Sequence, residues 1–138
     1  MNNLLPCITL YQPWATWIIN GWKTIETRTH DKFRSLEGKT IGIHAGKHYD
    51  KNAYDVAMPY LDSNAKAILK SFPIDYSFGK LLGTAYVVNF GLLYESDSKG
   101  ALIECKTRRY GLFLTDIKIL VPEIPLSGKQ GIWYVQYE

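Results

Sequence analysis

Gly21-Trp22-Lys23-Thr24-Ile25-Glu26-Thr27-Arg28 is the stretch on which the reading of this chain turns. It follows an apolar run bearing two tryptophans and reads as a turn entering a strand. In an extended chain successive side chains alternate between faces, so Thr24, Glu26 and Arg28 are expected on one side and Ile25 and Thr27 on the other. A hydroxyl, a carboxylate and a guanidinium then line one wall, with Lys23 at its entrance. Such a wall suits a polar ligand better than a core.

Upstream, Leu4 to Leu10 is β-compatible and predicts a first strand, and Gln12-Pro13-Trp14 opens a helix, since proline is tolerated in a first turn. Trp14, Trp17, Ile18 and Gly21 recur at helical spacing as a stripe facing a sheet. Asn20-Gly21 supplies the stop, because glycine accepts the left-handed conformation just past a helix end. Core packing is the reading for Trp17, whereas Trp14 is equally suited to face a ligand.

Downstream, 29–38 reads as a polar loop and Lys39 to Ala45 alternates as a strand, which turns His44 away from the Ile41/Ile43 face. Ala45-Gly46-Lys47-His48 then reads as a loop carrying two donors. Asp50 is expected to cap a short helix ending before Pro59. Asp62 or Ser63 is expected to cap another, with Ala65, Ile68, Leu69 and Phe72 on its buried side. After a loop over 73–79 the pattern turns to β: Leu81 to Tyr94, bulged or bent at its glycines, one or two strands in Tyr110 to Val121, and Ile132 to Tyr137. Glu95 to Gly100 reads as a turn. These elements predict one α+β domain over 1–138, built around a curled sheet or small barrel.

With 138 residues, 46% of them hydrophobic, the chain is long enough for one core. Ten tyrosines and four tryptophans offer stacking surfaces for bases as well as core volume. A net charge of +3 permits an anionic partner, but a protein wrapping duplex DNA would be more basic. Cys7 and Cys105 stand far apart, and their spacing does not support a disulfide. His44 and His48 lack further ligands at zinc-site spacing, so no metal and no cofactor is expected. The N-terminus does not read as a signal peptide, and no run of about 18 apolar residues argues for a membrane span. The expected setting is cytoplasmic and reducing.

Gln12-Pro13-Trp14-Ala15 followed by Gly21-x-Lys23-x-x-Glu26-x-Arg28 resembles the hallmark of the ASCH family (activating-signal-cointegrator homology). Ile43-His44-Ala45-Gly46, Leu82-Gly83-Thr84-Ala85 and Gly128-Lys129-Gln130-Gly131-Ile132-Trp133 resemble its later blocks, in family order across nearly the whole chain. The resemblance implies a stand-alone PUA-like β-barrel with flanking helices and a cleft beside the barrel. It also implies binding of RNA, a nucleotide or a modified nucleoside. Some relatives are enzymes, among them an N4-acetylcytidine amidohydrolase, and ribonuclease activity is associated with the family.

The expected ligand-binding residues are Trp14, Lys23, Thr24, Glu26, Arg28, His44, Lys47, Lys129 and Gln130. Lys23 can contact a phosphate, donate to a carbonyl, or act as a base if burial lowers its pKa. Glu26 can accept from an exocyclic amine or orient water, or it can simply hold Lys23 or Arg28. Arg28 offers a bidentate fork. Lys129 and Gln130 lie between glycines, where backbone can approach a ligand. Lys106, Arg108 and Arg109 form the strongest basic cluster, read first as a solvated edge and second as an RNA-backbone contact. If the chain is an enzyme, Lys23 and Glu26 are the expected catalytic pair. The amidohydrolase pattern has threonine three residues after its lysine, where this chain has Glu26, so that activity is not carried over. A third reading, a protein-interaction module, would show an exposed apolar patch and a cleft filled by internal salt bridges.

Overall fold

The computed structural model describes residues 4–106 and 108–136. Six strands, β1 (Leu4–Gln12), β2 (Ile25–Arg28), β3 (Thr40–Tyr49), β4 (Lys80–Leu92), β5 (Tyr110–Pro125) and β6 (Trp133–Gln136), form one sheet in the order β2-β5-β4-β3-β1-β6. β1 and β3 are parallel and the other neighbours antiparallel. A parallel pair needs a crossover, and here it contains α1 (Trp14–Ile19) and β2. Three further helices follow: α2 (Ala53–Ala57), α3 (Ser63–Ser71) and α4 (Ser98–Ala101).

β1 and β3 are covered on both faces, which is why they read as nearly continuous apolar runs. Ile8, Leu10, Ile41 and Ile43 enter the main core with Ile18 of α1, while Leu5 and Cys7 meet Leu81 and Trp133 on the reverse face. Trp17 joins a separate cluster with Ala53, Ala57, Leu61 and Ala65, and its indole nitrogen donates to the Tyr76 hydroxyl at 3.1 Å. Its core reading therefore holds.

β5 is one strand of 16 residues, bent where its register with β4 slips. At one slip, Asp116 takes a φ of 53° and adds an extra residue opposite Ala85, the geometry of a bulge. Gly83 lies at another, where a Cβ would fall 2.3 Å from the Lys118 carbonyl oxygen. Only glycine permits that approach.

Several sequence expectations are corrected. The sheet does not close into a barrel: its edge strands, β2 and β6, are four residues each and pair with one neighbour apiece. β3 continues through 45–48, expected as a loop, because Gln12 pairs with Tyr49 beyond a register shift. Asn52 rather than Asp50 stands at the N-cap of α2, and the Asp50 carboxylate accepts from the Asn52 N–H at 3.0 Å. Asp62 caps α3 as expected, through the Ala65 N–H at 2.8 Å, but Phe72 lies past the helix end and is exposed. The turn at 95–100 contains a 3-10 turn, Glu95–Asp97, and α4. Tyr137, placed in the last strand, lies outside the described residues.

Candidate functional site

The end of α1 sets where the charged motif begins. Gly21 has a φ of +80°; its N–H donates to Ile18 O at 2.9 Å and that of Trp22 to Trp17 O at 2.9 Å. These two bonds make a Schellman motif, which turns the chain sharply away from the helix. The Lys23 N–H follows to Trp17 O, and the Thr24 N–H goes to Gly100 O, ahead of β2. Strand alternation therefore starts at Ile25. Thr24 is exposed and outside the pocket that its neighbours line, a correction to its expected place beside Glu26 and Arg28.

Lys23 does not stand at an entrance. Its side chain is directed inward and is only 3% exposed, because α4 and the residues after it fold across it. Nζ donates to the Ala101 carbonyl and lies 4.9 Å from the centre of the Trp14 ring. Burial lowers its pKa from 10.5 to about 8, with Glu26 opposing the shift.

Glu26 is buried, and its Oε2 is 3.3 Å from a terminal nitrogen of Arg28. Arg28 is half-buried and lies over Phe33, 4.7 Å from guanidinium carbon to ring centre. Trp14, Lys23, Glu26 and Arg28 line a narrow pocket of about 290 Å³, together with Thr27, which had been expected on the opposite face. Asp50 lines it too and fixes the Trp14 ring by accepting from its indole nitrogen at 2.9 Å.

A wider cleft of about 1190 Å³ adjoins it, and Thr9, Tyr11 and Arg28 border both spaces. One flank of this cleft comes from residues after β2 and the other from 125–132, before β6, so it opens between the two edges of the sheet. Arg28, Lys32, Lys47 and Lys129 supply its cations, with His30 and His48 beside them, and Gln130 lies on the same flank as Lys129. Among the described residues, no aspartate or glutamate lines it.

His44 forms part of the wall but is 1% exposed, with both ring nitrogens engaged. Nε2 is 2.7 Å from the Leu126 carbonyl oxygen, which can only accept, so Nε2 carries the hydrogen. Nδ1 then accepts from the Thr9 hydroxyl at 3.1 Å, and the Thr9 oxygen accepts from the Trp133 indole at 3.0 Å. Burial depresses the imidazole pKa. This neutral network ties β1, β3 and β6 to the start of the loop that carries Lys129 and Gln130. Gly128 is required against it: a Cβ there would lie 2.5 Å from Thr9 Oγ1 and 2.7 Å from the His44 ring.

Lys47, Lys129 and Gln130 are exposed on the wide cleft, whereas Trp14, Lys23 and Glu26 line only the narrow pocket. Arg28 joins the two sets. The basic cluster divides as well. Lys106 pairs with Glu104 at 3.0 Å, Arg108 is exposed, and Arg109 has its Nε buried.

Sequence reasoning missed several residues. Tyr11 is 56% exposed, meets His48 at 5.3 Å between ring centres, and borders both spaces. Continuing the strand alternation from Thr9 by two residues would have found it. Ala101 and Ile103 carried no local signal. Gln12, fully buried, accepts the Thr16 N–H at 3.0 Å and donates to Ser77 O at 2.8 Å, capping α1 from one residue before Pro13. Its role is structural. No group of three or more His, Cys, Asp or Glu arranged to hold a metal occurs among the described residues.

The ASCH domain family model matches residues 8–118, from the middle of β1 to the middle of β5, and takes in every motif residue except those of the closing block. Among solved structures, an ASCH protein from Zymomonas mobilis is similar at 16% identity and a TM-score of 0.59, covering 95% of this chain and 87% of that one. A mutant form of the Zymomonas mobilis protein is similar at 15% identity and a TM-score of 0.51, covering 98% and 90%. At such identities the likeness is one of fold. The motif around Lys23, Glu26 and Arg28 lies inside the matched region, and the chain belongs to the ASCH domain family.

Proposed function

We propose that this chain binds single-stranded RNA, with phosphates in the wide cleft and one nucleoside in the narrow pocket. ASCH domains are linked to RNA binding or hydrolase-like activity, and the observation that favours RNA here is the charge of the wide cleft. Arg28, Lys32, Lys47 and Lys129 line it, with no carboxylate among the described residues. The narrow pocket balances Lys23 and Arg28 against Glu26 and Asp50. A phosphate is favoured in the first space, and a neutral base with donors and acceptors in the second. Tyr11 and His48 offer aromatic faces beside the cations, the combination that holds single strands.

Titration of labelled RNA oligomers tests this reading. Lys47→Ala/Lys129→Ala should weaken binding and flatten its salt dependence by about 1.4 in log–log slope, at about 0.7 per lost phosphate contact. Equal affinity and slope in wild type and variant would remove the wide cleft from the account.

Lys23 and Glu26 favour a second reading, a small hydrolase acting on a nucleobase amide or an RNA phosphodiester. A lysine with a pKa of about 8 can exchange a proton near neutrality, and Glu26 shares its pocket. Turnover of acylated cytidines or RNA that vanishes in Glu26→Gln would support it. Full activity in that variant would count against it.

A further inference from the structure

A series of cation–aromatic contacts leaves the rim of the wide cleft and crosses the end of the sheet. Arg28 lies over Phe33, and His30 meets the same ring edge-on at 5.3 Å. The next residue, Arg34, lies over a different ring, Phe90, at 5.2 Å. Phe90 stacks on Tyr110 with the planes 4° apart, and Arg108 lies over Tyr110 at 5.7 Å. Tyr110 is opposite Arg28 in the β2–β5 ladder. The second stack therefore begins about 5 Å from the cleft wall, one strand spacing away.

Packing explains the rings but not the arginines. Phe90 is 4% exposed and Tyr110 half-buried, so their stack belongs to the fold. Arg34 is more than half exposed and Arg108 is exposed, yet both guanidinium carbons stay 5.2 and 5.7 Å from these ring centres. Arg108 is fixed further by donating Nε and a terminal nitrogen to the Tyr110 hydroxyl, at 3.3 and 2.9 Å. Arg108 keeps its other terminal nitrogen for an anion, and the tie to Tyr110 leaves that side chain less freedom to lose on binding. Asp31, 4.0 Å from Arg34 and itself exposed, is too loose a partner to neutralise it, and the Glu37 carboxylate is taken up by the Phe90 N–H at 2.8 Å.

We propose that Arg34 and Arg108, seated on the Phe90–Tyr110 stack, form a second phosphodiester-binding track that takes the RNA strand where it leaves the wide cleft past Arg28. This rests on the RNA-binding reading above and extends its footprint across the β2–β5 edge. The track reads phosphates and carries no base specificity, because guanidinium N–H groups are the donors it offers.

The test compares fluorescein-labelled oligouridines of about four and about twelve nucleotides, lengths that bracket a single-domain footprint. Arg34→Gln/Arg108→Gln should weaken the longer strand about five- to tenfold and lower its salt slope by about 1.4, leaving the shorter strand within about twofold. Asp31→Asn, which removes the competing carboxylate and leaves the rings in place, should tighten the longer strand only. Equal losses at both lengths, no loss on the longer strand, or no gain in Asp31→Asn would overturn the track. Loss of both lengths in Lys47→Ala/Lys129→Ala keeps the cleft reading standing even where the track fails. Wild type that binds neither length overturns both.

Discussion

Lys23 Nζ donates to the main-chain carbonyl of Ala101, a residue 78 positions later in the chain. That contact makes an ordinary surface-type side chain a buried group on the wall of a small pocket, and it ties the charged motif to α4.

The burial of Lys23 has a pH signature. Its pKa falls from 10.5 in the open chain to about 8 in the fold. Between those values the unfolded chain binds more protons, so stability rises with pH across that window. Below about 8 the fold carries the full cost of a buried ammonium, at most on the order of 3 kcal/mol. Lys23→Met should therefore be stabilised relative to wild type near neutral pH, with the difference shrinking toward pH 10.5. Urea unfolding of both proteins across this range measures it, and a pH-independent difference would refute the assignment.

His44 gives a slope in the acid range. Its imidazole is held neutral between Leu126 O and the Thr9 hydroxyl, with its pKa depressed by burial. The unfolded chain takes up this proton first as pH falls, so the contribution is full above about 6.5 and lost below it. Wild type should lose more stability between pH 7 and pH 5 than His44→Gln. A nitrogen-detected NMR spectrum at pH 7 should show the hydrogen on Nε2.

Gly128→Ala places a methyl group 2.5 Å from Thr9 Oγ1 and against the His44 ring. The loop must shift, at about 1–3 kcal/mol, a typical cost of overpacking. Lys129 and Gln130 move with it. Lower thermal stability together with weaker RNA binding is the expected outcome. Gly91→Ala, where a Cβ meets nothing within 4 Å, is the control.

Cys7 and Cys105 are both free and buried. Desolvation raises both thiols, Cys7 to about 11. A thiol reagent at pH 8 should leave native protein unmodified over minutes and label both cysteines once denaturant is added. Rapid native labelling of either would contradict the packing described.

The legible parts of this chain are those set by near neighbours. The Asn20-Gly21 stop, the alternation of β3 and the Asp62 cap depend on groups within a few residues, and each was readable from spacing. The motif at 21–28 identified the family on the same local basis. Alternation misplaced Thr24 because the backbone before Ile25 is tied to Trp17 and Gly100 rather than running as strand. Phe72 was misjudged because the helix ends one residue too early to bury it.

By itself, then, the sequence determined the α+β class, the ASCH motif and the order of helix stop and charged strand, since short-range geometry and periodicity are written in adjacent residues. The tertiary structure alone decided that Lys23 is buried, that His44 is a neutral tie, that the sheet stays open and that its gap is a cationic cleft. Burial, pKa and enclosure depend on what remote segments bring to a side chain. Ala101, Leu126 and Trp133 carry no mark of those partners in the sequence around them.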